Sequence, residues 1–210
     1  MSLLIYAESS EGKLKKVAFE LASYAKKVAE SLGTTVTAVT VNNNNVSDLS
    51  KYGVDKVLKV NNEKLSNFSA KAYADLISKA AQKENSKIVL LSSTTDSLYI
   101  APLVAIGLNA GFASNVIGLP VNMSPFQVKR SAFSNKAFNI TEIETETKVL
   151  ALSKNSFGIV ENQSSLSEEN FEPALSDSDF NIKVESVEKG SGKVTIADAD
   201  VVVSGGRGLK

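Results

Sequence analysis

The sequence predicts an α/β fold with a mostly parallel sheet flanked by helices and an antiparallel β ribbon in its second half. In the first half, short apolar and β-branched runs alternate with segments of helical periodicity, which favours parallel βαβ units. After Pro120, strand-like segments follow one another with turns between them and no helices, which indicates an antiparallel ribbon. Of the 210 residues, 43% are apolar, which is enough to build a core.

The first βα unit is predicted close to the N-terminus. Leu3 to Glu8 is an apolar run that ends in polar residues, as expected for a buried strand. Between Lys13 and Leu32, apolar residues recur at spacings of three and four, which predicts an amphipathic helix. Gly33 is expected to end this helix.

Two further units follow. Thr35 to Val41 is rich in β-branched residues and predicts the second strand, and Asp55 to Val60 predicts the third. The polar run Asn42 to Asn45 is interpreted as a solvated turn and not as a ligand site. Ser69 is the expected N-cap of a helix that runs to about Lys83.

A hydroxyl-rich loop, Ser92 to Ser97, separates a fourth predicted strand, Lys87 to Leu91, from a helix at about Leu98 to Leu108. Ligands of open parallel sheets bind at the carboxyl ends of the strands, so these hydroxyls and the free N–H groups of the helix suit a phosphate. The alternative, which we favour, is that Asp96 or Ser97 caps the helix and the other loop residues form a turn.

The second half predicts short strands at Phe126 to Ser131, Ala137 to Ile143 and Lys148 to Ser153, forming the ribbon. Glu142, Glu144 and Glu146 alternate, which places them on one strand face. Such a row suits a cation, but a solvated face is the favoured interpretation.

The predicted domain boundary lies near residue 190. Ser164 to Ser178 is acidic and serine-rich and is expected to be an exposed connection, and Asn181 to Glu188 resumes strand-like alternation. The flexible run Gly190 to Gly192 then separates an α/β scaffold domain, residues 1–190, from the start of a second domain, residues 191–210.

Composition narrows the possible functions. The chain balances 23 basic against 23 acidic residues, which argues against a nucleic-acid surface. It contains no cysteine and no histidine, which excludes a thiolate nucleophile, the usual hydrolase triad and the commonest zinc ligands. Its apolar runs are shorter than the roughly 20 residues of a membrane span. We therefore expect a binding or scaffold role without membrane insertion, and, since no targeting segment is visible, the cytoplasm.

The last residues, Ala199 to Lys210, run from an apolar strand, Val201 to Val203, into a glycine-rich loop. A strand that feeds glycines brings backbone N–H groups close to a phosphate. This tail resembles the start of the flavin-binding domain in the α subunit of the electron transfer flavoprotein family. The helix that should follow is missing, so we expect the chain to be cut just inside that domain.

Other segments resemble the same family. Leu3 to Glu8 is similar to its first strand, and Ala101 to Val116 to its pattern of Ala-Pro, helix, Leu and Gly, with Asn115 in place of the usual Asp. The segment from Val128 to Ala137 is similar to the family's Arg-Pro-x-Tyr-Ala-Gly stretch. It departs from that stretch at four positions, namely Ser131, Phe133, Ser134 and Asn135.

The resemblance implies a heterodimer of α and β subunits that holds one FAD. Such a protein carries electrons from acyl-CoA dehydrogenases, which act in fatty acid β-oxidation, and from other dehydrogenases to a membrane-bound quinone oxidoreductase of the respiratory chain. The N-terminal domain of the α subunit would have an adenine nucleotide alpha hydrolase-like fold and act as a non-catalytic scaffold. Structural AMP belongs to the β subunit, so the Ser92 to Ser97 loop is expected to be empty.

The resemblance also implies FAD-binding residues. Arg207 matches an arginine that lies near the flavin, where a cation stabilises negative charge and helps set the reduction potential. Gly205, Gly206 and Gly208 would let the backbone approach the cofactor. FAD binding is expected only in the full-length heterodimer, because the tail alone should be a frayed end.

Two alternatives remain at this stage. One is a small nucleotide-binding module of the universal-stress or adenine-nucleotide-hydrolase type, in which the Ser92 to Ser97 loop binds AMP or ATP. The other is a domain that only binds other proteins, without a flavin domain after it.

Overall fold

The computed structural model describes residues 2–182, 184–186, 199 and 201–208. This part of the chain forms twelve strands and three α-helices. The strands are β1 (Ser2–Tyr6), β2 (Ser9–Ser10), β3 (Lys13–Leu14), β4 (Thr35–Val41), β5 (Lys56–Val60), β6 (Ile88–Ser92), β7 (Gly111–Val116), β8 (Asn122–Met123), β9 (Phe126–Ala132), β10 (Ala137–Glu142), β11 (Lys148–Leu152) and β12 (Ser167–Asn170). The helices are α1 (Lys16–Leu32), α2 (Ala70–Lys83) and α3 (Thr95–Gly107).

One ten-stranded sheet organises the fold, in the order β10-β9-β7-β11-β6-β1-β4-β5-β12, with β8 paired to β9. In this spatial order, every neighbouring pair from β7 across to β12 is parallel. The strand β9 pairs antiparallel with β7, β8 and β10. The predicted α/β class, with a parallel sheet and an antiparallel ribbon, is confirmed.

Helices cover both faces of the sheet. Side chains alternate along β1, so Leu3 and Ile5 join the core on the α1 side, and Leu4 joins the core against α2 and α3. The helix α1 begins later than predicted because residues 13–14 pair with residues 9–10 in a small hairpin. It ends at Gly33 as expected, with a left-handed φ of 63°.

The position of β11 corrects the predicted ribbon. We expected Lys148 to Ser153 to pair antiparallel, but β11 lies inside the sheet, parallel to both β6 and β7. The reason is its composition: Val149, Leu150, Ala151 and Leu152 are all buried, so both faces of the strand need cover. The ribbon therefore consists of β9 and β10, with β8 at its base.

The acidic segment after residue 160 is also more ordered than predicted. Within the expected exposed connection, β12 pairs parallel with β5 and covers that edge of the sheet. Ion pairs add to the backbone pairing: Glu169 accepts from Lys56 at 2.7 Å and from Lys83 at 2.8 Å, and Glu168 accepts from Lys59 at 2.8 Å. We call residues 161–180 the acidic strap, since it contains six carboxylates and no basic residue.

The predicted row of glutamates does not form. The strand β10 ends at Glu142, which accepts a hydrogen bond from Gln127 at 2.8 Å, while Glu146 lies in the following turn and pairs with Lys87 at 2.7 Å. Within the described ranges, no cluster of three or more acidic, histidine or cysteine side chains is placed to hold a metal ion.

Only part of the C-terminal region after residue 180 lies within the described residues. Residues 181–182 and 184–186 are not in a strand, and Val201 to Val203, predicted as a strand, is unpaired and exposed. A strand needs a neighbour to satisfy its backbone, and none of the strands in the described part of the chain pairs with these residues. The run Gly190 to Gly192 lies outside the described residues. None of the described helices combines the length and hydropathy that a membrane span requires.

Candidate functional site

The candidate site is the crevice where the strand order reverses. From β1 the chain continues to β4 and β5 on one side, and β6 and β11 lie on the other side of β1. In open parallel sheets, ligands bind in the crevice beyond the carboxyl ends of the strands at this switch point. Here Glu8 follows β1, and the segment Ser92 to Ser97 spans the end of β6, the two connecting residues Ser93 and Thr94, and the start of α3.

Glu8 fills this crevice with a negative charge. Its side chain is buried, and Oε1 accepts hydrogen bonds from the hydroxyls of Thr94 at 2.6 Å and Ser97 at 2.8 Å. The other oxygen, Oε2, accepts from Lys15 Nζ at 3.1 Å. The carboxylate thus uses two of the hydroxyl donors that the sequence offered to a phosphate.

The cap of α3 differs from the prediction. Thr94 is the N-cap, and its hydroxyl oxygen accepts from the backbone N–H of Ser97 at 3.2 Å. Asp96 and Ser97, the predicted caps, lie inside the first turn of the helix. Thr94 therefore has two roles, because its oxygen caps the helix while its proton is donated to Glu8.

This arrangement opposes a phosphate at the same place. The start of a helix favours an anion, and Glu8 already supplies one there. A phosphate beside Glu8 would bury a second negative charge against the first, which is strongly unfavourable in a dehydrated crevice. The geometry therefore opposes the AMP or ATP module that the loop alone suggested.

An aromatic cleft of about 390 Å³ lies next to Glu8 and is lined in part by Tyr6, Phe68, Tyr73 and Asp96. Burial raises the pKa of Tyr6 well above its ordinary value, helped by the neighbouring Tyr73, Glu8 and Asp96. Burial, and then Asp96, raise the pKa of Tyr73 to about 12. The phenol of Tyr73 donates its proton to the carbonyl of Leu65 at 2.9 Å.

Glu20 is a second buried carboxylate that the sequence reasoning missed. From α1 it accepts three backbone N–H bonds, from Asn155 at 2.9 Å, Phe157 at 2.9 Å and Gly158 at 3.0 Å. This fixes the loop that follows β11. One signal was available: Glu20 lies three residues after Val17, on the apolar face of the predicted helix.

The predicted flavin residues lie in a different environment. Gly205, Gly206, Arg207 and Gly208 are exposed, and a turn includes Arg207 and Gly208. They are not drawn into the crevice at Glu8.

Comparisons with known proteins agree with this architecture. A family model described as "Electron transfer flavoprotein domain" matches residues 3–178. The chain is 30% identical over 215 residues to the electron transfer flavoprotein subunit alpha of Thermoanaerobacterium thermosaccharolyticum, and 29% over 218 residues to that of Clostridium acetobutylicum. Each alignment covers 98% of this chain and 64% of the relative, so the chain spans less than two thirds of their length.

A further relative is the LctC subunit of the lactate dehydrogenase (NAD(+),ferredoxin) of Acetobacterium woodii. It is 28% identical over 149 residues, which cover 69% of this chain and 35% of that subunit.

The sheet order defines an open α/β domain of the class that commonly binds nucleotides at its switch point. In this chain the buried side chain of Glu8 occupies that point. The chain belongs to the electron transfer flavoprotein family. Its relatives include α subunits, so the sequence-based prediction of the family and the subunit is confirmed.

Proposed function

We propose that this chain is the scaffold domain of an electron transfer flavoprotein α subunit, in a heterodimer whose single FAD carries electrons between dehydrogenases and the respiratory chain. The family match over residues 3–178 is the observation that carries the proposal. Acyl-CoA dehydrogenases are the proposed donors, a membrane-bound quinone oxidoreductase is the proposed acceptor, and the cytoplasm is the proposed location.

The closed crevice supports a scaffold role for the domain itself. Glu8 uses the donors of Thr94 and Ser97. The hydrogen bonds of Glu8 connect the end of β1 to the start of α3. Electron transfer is then the task of the flavin, which the domain helps to position.

The tail offers suitable chemistry for FAD. The proposed cofactor domain begins near residue 191, and its first residues include Gly205, Gly206 and Gly208, which lack side chains that would block a pyrophosphate. The guanidinium of Arg207 suits negative charge on the flavin or its phosphates. Bound FAD supplies the redox chemistry, and Arg207 would stabilise the anionic reduced state and so raise its potential.

An exposed apolar stripe on α3 supports pairing with a β subunit. The helix is apolar on all sides, and only one side packs against the sheet and α2. The outer side exposes Leu98 by 50%, Tyr99 by 64%, Leu103 by 40% and Ile106 by 78%. A contiguous apolar stripe of this kind is typical of a protein interface, and we assign it to the β subunit.

Co-expression of the complete gene product with its β subunit tests the proposal. The purified heterodimer should show the absorbance of oxidised flavin, and an acyl-CoA dehydrogenase with its substrate should bleach it. Residues 1–210 alone should purify without flavin. A complete heterodimer that forms but holds no flavin would overturn the proposal.

A further inference from the structure

Glu8 accepts hydrogen bonds from only two of the hydroxyls in the hydroxyl-rich segment Ser92 to Ser97. Thr94 and Ser97 donate to Glu8. Of the other hydroxyl residues, Ser93 lines one outer cleft, and Thr95 lines another together with Thr94. The first cleft, of about 470 Å³, includes Thr95 in its wall, and the second, of about 760 Å³, includes Ser93. Lys154 lines both clefts, so they are contiguous at this side chain.

The first cleft is electropositive. Lys15, Lys16 and Lys154 line it, and Asp96 is the single carboxylate of its lining. The helix α1 begins at this cleft without a side-chain cap and without an acidic residue in its first turn. Lys15 is already paired with Glu8 at 3.1 Å, so the ammonium group of Lys154 and the positive end of the helix are the features that favour a bound anion.

The second cleft combines polar groups with exposed aromatic rings. The hydroxyl of Ser93 is buried and finds no hydrogen-bond partner within the described part of the chain. At the rim, the side chains of Phe133 and Phe138 are exposed by 78% and 63%. Buried hydroxyls are normally paired, and large exposed aromatic side chains commonly mark binding surfaces.

Backbone strain is concentrated at the same cleft. Of the nine described residues other than glycine with positive φ, five line it. They are Asn115, Phe133, Ser134, Asn135 and Asn155. Left-handed backbone at such residues costs energy and tends to collect at functional sites.

We propose that the two clefts form one binding site for a small phosphorylated molecule with an aromatic ring. The phosphate lies in the first cleft against Lys154 and Thr95, and the ring lies in the second against Phe133 and Phe138. Concave clefts of this size suit a small molecule better than a protein surface. The site is distinct from the crevice at Glu8, and it does not depend on the proposed electron-transfer role.

Titration of the ¹⁵N-labelled chain with phenyl phosphate, followed by NMR at constant ionic strength, tests this site. Phenyl phosphate should give saturable amide shifts around Thr95, Lys154 and Phe138. Inorganic phosphate should shift only the signals of the first cleft. It should bind about three- to tenfold more weakly, because it lacks the aromatic contact.

Three variants separate the site from general charge attraction. Lys154→Gln should weaken both probes by about tenfold, the loss expected for one charged hydrogen bond. Phe138→Ala should weaken phenyl phosphate alone. Lys27→Gln, which removes an exposed lysine of α1 outside both clefts, should change neither. The spectra themselves report whether each variant is folded.

Shifts that do not saturate, or that spread over lysines across the whole surface, would overturn the proposal. So would equal losses in Lys154→Gln and Lys27→Gln, or an equal effect of Phe138→Ala on both probes.

Discussion

The carboxylate of Glu8 and the hydroxyl of Thr94, 86 residues apart in the chain, are joined by a hydrogen bond of 2.6 Å. This contact connects the end of β1 to the start of α3 at the switch point of the sheet. Because the side chain of Glu8 is buried, its partners decide whether the charge is tolerated.

The first prediction concerns Glu8→Gln. The substitution removes the charge that pairs with Lys15, and it places an N–H₂ group where an oxygen accepted hydrogen bonds. We expect the free energy of unfolding to fall by about 1–3 kcal/mol. Urea unfolding measures this change. Glu144→Gln, at an exposed turn position, is the matched control and should stay within about 0.5 kcal/mol; equal stabilities of the two variants would contradict the assignment.

The second prediction concerns Glu20→Gln. A neutral amide has one acceptor oxygen, whereas Glu20 accepts from three backbone N–H groups with two. We expect faster hydrogen exchange at Asn155, Phe157 and Gly158 and a loss of about 1–3 kcal/mol in stability. The amides of β4 serve as an internal control. Unchanged exchange in residues 155–158 would show that Glu20 does not hold this loop.

The third prediction concerns the pH dependence of the acidic strap. Hydrogen bonds from Lys56 and then Lys83 lower the pKa of Glu169 from 4.5 to about 2. A carboxylate with a lowered pKa stabilises the folded state at pH values above its ordinary pKa. This contribution is lost as the pH falls through the lowered value. We therefore expect β12 to detach from β5 as the pH falls from about 4.5 towards 2.

NMR shifts of the Ser167 and Phe171 amides, which donate to Asp55 and Lys59, report this detachment. Glu169→Gln should weaken the pairing already at neutral pH. Glu172→Gln changes the charge of the same strap by the same amount at an exposed residue, and it should behave like the parent chain. Loss of pairing in both variants alike would mean that net charge, and not the contact with Lys56, holds the strap.

The fourth prediction concerns the apolar stripe of α3. Ile106→Glu should leave the stability of the chain nearly unchanged, because 78% of this side chain is exposed. In the complete α subunit it should weaken association with the β subunit by about tenfold or more, because a charge would be buried at the interface. Analytical ultracentrifugation measures the association.

Ile140→Glu is the control for α3, since Ile140 is 52% exposed on β10, away from the helix. If Ile106→Glu and Ile140→Glu weaken association equally, the apolar stripe of α3 is not the specific contact surface for the β subunit.

Local elements were predictable because their signals lie within a few residues. Thr35–Val41 was predicted with its observed bounds, Ser69 caps α2 as expected, and Gly33 ends α1. β-branched composition, a capping hydroxyl and a left-handed glycine act locally, so a single sequence shows them.

Pairing across the chain was not predictable in the same way. The places of β11 between β6 and β7, and of β12 beside β5, depend on partners far away in sequence. The same holds for Glu8, whose donors Thr94 and Ser97 follow it by 86 and 89 residues. The sequence showed a carboxylate after one strand and hydroxyls after another, without showing that they meet.

The insertion of β11 between β6 and β7 also has a consequence for biosynthesis. A growing chain can assemble β1, β4, β5 and β6 early, but the slot between β6 and β7 stays open until residues 148–152 leave the ribosome. Until then two strand edges are available to other chains, which is when aggregation is most favourable. A nascent chain that stalls before this point would be a natural client for chaperones, and any shorter fragment that folds must keep those five residues.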